Sequence, residues 1–164
     1  MLTDDKVLKL RTLASIVSKE CKHLEQTTSR LFAQDDWSWI SRLEQDIDLS
    51  ERVEAFVGRF GRLQDTLGDK LIPLVLVIEE ETLGTALDNL GRAERLGWLP
   101  SVAEWSEARG LRNRMVHEYM TDPEEFRLAL ARGRDLVPML LETATNTLSF
   151  LKSKNYISHA PQDT

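Results

Sequence analysis

The chain is poor in the residues that usually announce chemistry. It has one cysteine and three histidines in 164 residues, which excludes an internal disulfide, a Cys-rich metal site and, at the spacing found, any recognisable metal-ligand motif. Cys21 falls on an apolar helical stripe and reads as a small core residue. The longest apolar stretch, Leu71 to Ile78, is far shorter than the roughly 20 residues a membrane span needs. The opening "MLTDDKVLKLRTLAS" carries acids early and lacks the uninterrupted apolar run of a signal peptide. A cytoplasmic protein without membrane association is therefore expected. Glycines are scattered, and "VGRFGRLQDTLGDK" lacks the Lys-Ser/Thr ending of a phosphate-binding loop. Basic charge is also scarce: 27 acids outnumber 21 Lys and Arg, for a net charge of −6. That balance excludes broad nucleic-acid binding over the whole surface, but not a small basic site on an acidic body.

What is present is helical periodicity. Leu10, Ala14, Val17, Cys21 and Leu24 recur at steps of four and three, and so do Val53, Phe56, Phe60, Leu63 and Leu67. Phe126, Leu130, Gly133, Val137, Leu140, Ala144, Thr147, Leu148 and Leu151 continue one stripe for about seven turns. Stripes of this kind bury one face against neighbouring helices. Ser101–Glu104 after Pro100, and Asp122-Pro123-Glu124-Glu125, read as helix starts with capping boxes. "KLIPLVLVIEEE" reads as helix restarted or kinked at Pro73, because a lone strand has no partner. The segment Ala86 to Leu96 is a further short helix, and "AQDDWSWISRLEQDIDLSE" a short helix or structured connection. The expectation is an all-α bundle over residues 1–152 and a flexible C-terminal tail over 153–164, which contains His159. Trp37, Trp39, Trp98 and Trp105 are expected to fill the core or an interface, and His23 to lie on the surface.

One stretch departs from this plain pattern: Leu111-Arg112-Asn113-Arg114-Met115-Val116-His117-Glu118-Tyr119. No acid separates Arg109 from His117, and the predicted helix places the stretch just before a turn. Histidine exchanges a proton near neutral pH, and arginine holds phosphate with a planar, permanently charged fork. Together they suit RNA phosphodiester cleavage without metal. The imidazole removes the 2′-hydroxyl proton, the hydroxyl attacks phosphorus, and the guanidinium stabilises the gathering charge. At about 100° per residue, Arg112 and His117 point about 140° apart. One helix does not easily aim both at one group, whereas two copies facing each other across a dimer axis do.

The run Arg112-Asn113-x-x-x-His117-x-Tyr119 resembles the R-x4-H-x-Y signature of HepT-like toxins in the HEPN superfamily of small α-helical ribonucleases. The resemblance implies a homodimeric HEPN-type bundle with one composite, metal-independent RNA-cleaving site and no cofactor. It implies catalytic roles for Arg112 and His117 and supporting roles for Asn113 and Tyr119. Its cognate partner would be a minimal nucleotidyltransferase (MNT-type) antitoxin that transfers AMP to Tyr119. Family members use an acid on an earlier helix to assist the arginine; Asp65 and Asp69 are both available, and each reads more simply as part of a solvated helix face. The other function class is a non-catalytic helical docking partner of a nucleotidyltransferase.

Overall fold

In the computed structural model the described residues are 2–34, 36–119 and 121–158, and among them the chain is all-helical, without strands. The helices are α1 (Asp4–Leu31), α2 (Ile47–Gln64), α3 (Ile72–Ile78), α4 (Ala86–Arg95), α5 (Val102–Glu118) and α6 (Pro123–Ser153). A 3-10 turn, Ser38–Arg42, leads into α2. A π-helical segment, Asp65–Leu71, joins α2 to α3 without a break.

Every start except that of α3, which continues from the π segment, carries a short polar side chain that accepts one of the orphan N–H groups of the first turn. Thr3 serves Lys6, Asp46 serves Leu49, Thr85 serves Asp88, Ser101 serves Glu104 and Asp122 serves Glu125. The full reciprocal box forms at Thr85–Asp88. At the two expected boxes only the first half forms. The Glu125 carboxylate is drawn to Arg114 at 3.1 Å, and Glu94 of α4 caps α5 instead by accepting the Val102 N–H. Helices α3, α4 and α6 end alike. The residue after each cap turns left-handed (Glu80 φ 60°, Gly97 φ 83°, Asn155 φ 59°), and the next N–H reaches back to the carbonyl five residues earlier.

The stripes read from sequence form the core. Val53, Phe56, Phe60, Leu63 and Leu67 are fully buried, as are Phe126, Leu130, Leu140 and Leu151. Burying each such large apolar side chain contributes roughly 1.5–3 kcal/mol. Leu10, Val17 and Leu24 of α1 join this core, and Cys21 is half-buried on the same helix. Burial pushes the Cys21 thiol up to about 12, with Glu20 and Glu25 adding to the effect. Trp39, Trp98 and Trp105 are buried; Trp37 is half-buried between Phe32, Trp39 and the Arg134 guanidinium.

Of the two forms expected at Pro73, the restart is the one found: α3 begins at Ile72 with Pro73 in its first turn. The chain runs helically through Pro73, and the irregularity is the π segment just ahead of it, where the Ile72 N–H bonds the Leu67 carbonyl. Pro73 brings no N–H to the ladder, so a change of register at this point leaves no donor unmatched. Gly68 sits in the widened turn, and the Trp105 indole of α5 occupies the space a side chain would need.

Residues 154–158 do not leave the body as the start of a loose tail. The Tyr156 hydroxyl donates to Glu79 at 2.7 Å, and Arg11 donates to the Tyr156 carbonyl at 3.4 Å. The packed body thus extends to about Ser158; the rest of the expected tail, with His159, lies outside the described residues. Among the described residues no helix is long and apolar enough to cross a membrane.

Candidate functional site

Helix α5 sets the site because its sides have different neighbours. Trp105, Ala108, Leu111 and Met115 face inward and are buried. One flank meets α6, where Met115 fills the space over Gly133, Arg114 pairs with Glu125 and Arg132 pairs with Glu107. The other flank meets α2 and the π segment.

Along this second flank run two ion-paired rungs. Arg112 Nη1 donates to Asp65 Oδ1 at 2.6 Å, and Arg109 Nη2 donates to Asp69 Oδ1 at 2.8 Å. Asp65 and Asp69 are therefore engaged rather than simply solvated, which corrects the sequence expectation for both. Their positions four apart on one helical rod match Arg109 and Arg112, three apart on the facing one. The Arg112–Asp65 side chains remain 35% and 36% exposed, so the pair orients the guanidinium while leaving it open to solvent.

Two residues of α2 shape the seam here. Gly61 of α2 lets Arg112 lie against the helix backbone; a Cβ there would stand 2.6 Å from Arg112 Nε. Gln64 is fully buried and donates to the Ala108 carbonyl at 3.3 Å, one turn ahead of Arg112. Neither residue was singled out by sequence, although a glycine facing the motif across the seam is the kind of signal that a close approach leaves.

The remaining motif residues point elsewhere. Asn113 and His117 are exposed. His117 lies about 200° around the helix from buried Met115, hence on the side away from the core. It occupies the last turn of α5, and its carbonyl accepts from the Thr121 hydroxyl at 3.1 Å. Tyr119, at the end of α5, is half-buried with its ring edge-on to Phe126, centroids 5.1 Å apart. Burial raises the Tyr119 pKa above its ordinary value and Glu54 adds to the rise, while the Ser50 hydroxyl opposes both. Tyr119, Val57, Gly58 and exposed Val116 line a largely apolar cavity beside α2.

The structure thus brings Arg112 together with Asp65, and Tyr119 with α2, while Asn113 and His117 face outward from the same helix. Among the described residues no group of His, Cys, Asp and Glu is arranged to hold a metal ion.

The fold and this site define an all-α protein with a carboxylate-oriented arginine and an outward histidine on one helix. No protein-family model matches the chain, and no curated protein or solved structure is significantly similar to it.

Proposed function

We propose that the protein is a HepT-like toxin of the HEPN type: a homodimeric, metal-independent endoribonuclease held in check by an MNT-type nucleotidyltransferase antitoxin. The observation that carries the reading is the division of labour on α5. Arg112 is oriented by Asp65 on one side of the helix, and His117 stands free to act on the other. In a dimer, the Arg112 of one copy and the His117 of the other meet at one phosphate. His117 takes the 2′-hydroxyl proton, and Arg112 stabilises the charge on the non-bridging oxygens. The products of this chemistry are a 2′,3′-cyclic phosphate and a 5′-hydroxyl. Asn113 shares the exposed face with His117, four residues away, and holds the imidazole or the phosphate. Tyr119 is the residue the antitoxin modifies, which closes the cleft.

Mixing two inactive variants tests the composite site. With free subunit exchange half of the dimers in an equal mixture of Arg112→Ala and His117→Ala are heterodimers, each with one of its two Arg–His pairs native if the site is shared, and the mixture regains up to about a quarter of wild-type activity. If each copy works alone the mixture stays inactive, and the shared site is refuted.

A second reading, a non-catalytic docking partner of a nucleotidyltransferase, draws on the apolar cavity beside exposed Val116. It predicts that Val116→Glu abolishes partner binding, whereas His117→Ala changes nothing measurable.

A further inference from the structure

Next to the Arg109–Asp69 rung lies a second recess, between α4, α5 and the π segment. Leu87 and Leu90 of α4 form one wall, Trp105 and Gly68 lie opposite, and Asp69, Ser106 and Arg109 line the rest. Its volume is about 200 Å³, below that of a pocket for a drug-sized molecule and suited to a single planar ring system. Leu87 is 61% exposed, so this apolar wall is left uncovered.

We propose that this slot receives a nucleobase of single-stranded RNA whose backbone runs past Arg112; the inference rests on the ribonuclease reading and names a substrate subsite for it. Three features select a base over other occupants. First, the polar side groups are of both kinds. The Asp69 carboxylate accepts, the Arg109 guanidinium donates and the Ser106 hydroxyl does either, which matches the mixed donor and acceptor edge of a heterocycle.

Second, Trp105 is fully buried, yet its indole N–H has no acceptor among the described residues. The Nε1 edge of the ring lies against Gly68, which lines the slot as well. A buried donor without a partner in the wall of a recess is a costly arrangement, and a polar ligand atom that presses into that wall at Gly68 gives it an acceptor.

Third, the place is right. Arg109 precedes Arg112 by three residues on α5, an axial step of about 4.5 Å, so a strand following the two rungs sets a phosphate at one and a base beside the other. The Arg109–Asp69 pair is 40% and 44% exposed and opens at little cost when a base competes for either partner.

Photo-crosslinking tests the slot directly. The probe is a short oligoribonucleotide carrying 4-thiouridine or 6-thioguanosine at one position, bound in EDTA to the full-length His117→Ala chain so that the strand is not cut. The expected crosslinks map to the peptides holding Leu87 and Leu90 or Trp105 to Arg109. Ser106→Trp fills the slot and Leu87→Ala removes its exposed wall. Each weakens the oligonucleotide Kd at least fivefold, as does an abasic nucleotide at the crosslinking position. Crosslinks that map only elsewhere, or a Kd unchanged in both variants with helicity retained, overturn the slot; so does failure of any probe to bind. Cleavage by the wild-type chain without crosslinks here removes the slot and leaves the nuclease. Crosslinks here in a chain that never cleaves keep the slot and remove the nuclease.

Discussion

Replacing Gly61 with alanine separates stability from activity, and both magnitudes follow from the geometry. The new Cβ would stand 2.6 Å from Arg112 Nε, 3.0 Å from Cδ and 3.1 Å from Cζ. Reaching ordinary van der Waals contact requires a retreat of roughly 1 Å. The backbone of α2 is fixed by Phe60 and Leu63 on either side, both fully buried, so the arginine moves. Its guanidinium swings outward and gives up the 2.6 Å bond to Asp65. With both side chains about a third exposed, that pair contributes at most about 1 kcal/mol. Alanine in place of glycine inside a helix returns roughly 1 kcal/mol. The two effects cancel, and urea denaturation should find the variant within about 1 kcal/mol of wild type. Catalysis has no such compensation. Under the proposed ribonuclease reading, displacing a transition-state group by about 1 Å costs on the order of 100-fold, so kcat/KM for RNA cleavage falls by about that factor while the fold stands. Undiminished cleavage, or a stability loss above about 2 kcal/mol, would refute the reasoning.

Other outcomes follow from particular contacts. Gly68→Ala meets the Trp105 Cζ2 atom at 2.7 Å, and that indole is fully buried; the variant loses about 1–3 kcal/mol in urea denaturation. Glu80→Gly relieves a left-handed residue (φ 60°) at the end of α3 and raises stability by up to about 1 kcal/mol, read from the urea midpoint. Cys21, with its thiol pushed up to about 12 by burial, stays unreactive toward a disulfide reagent at pH 8 and reacts fully once the chain is unfolded. Both tyrosines have pKa values raised above 10.0, Tyr119 chiefly by burial and Tyr156 chiefly by its hydrogen bond to Glu79. The folded state therefore holds these protons more tightly than the unfolded chain. The resulting stability is fully present below pH 10 and is lost as pH rises through the folded values. Absorbance near 295 nm should show tyrosinate forming above pH 10 in native protein and near 10 in urea.

Much of this fold was legible because burial leaves a period. The stripe from Val53 to Leu67 and the stripe from Phe126 to Leu151 each settle one helix and its inward face, and Asp122-Pro123 and Ser101 mark the starts correctly. The π segment was not legible, since a change of hydrogen-bond register at Asp65–Leu71 leaves the apolar order Leu63, Leu67, Leu71 intact. The roles of Asp65 and Asp69 were hidden for a related reason. A carboxylate on a helix flank looks solvated until the rotation of the facing helix is known, and contacts such as Trp105 over Gly68 and Met115 over Gly133 set that rotation. Glu125 shows the reverse: the cap pattern pointed it at the start of α6, and Arg114 across the turn attracts it more strongly. At the candidate site, the motif in the sequence singled out Arg112 and His117. The partner that orients Arg112 and the glycine that admits it emerge only from the α2–α5 seam.

The most direct test is RNA cleavage in EDTA by purified wild-type protein beside His117→Ala, at matched concentration and with dimer mass confirmed for both. Cleavage that persists in EDTA, ends in a 2′,3′-cyclic phosphate and disappears in the variant is the predicted result. Equal cleavage by both proteins, or none by unmodified wild type across several RNAs, would contradict the assignment of His117 and Arg112 as a ribonuclease centre.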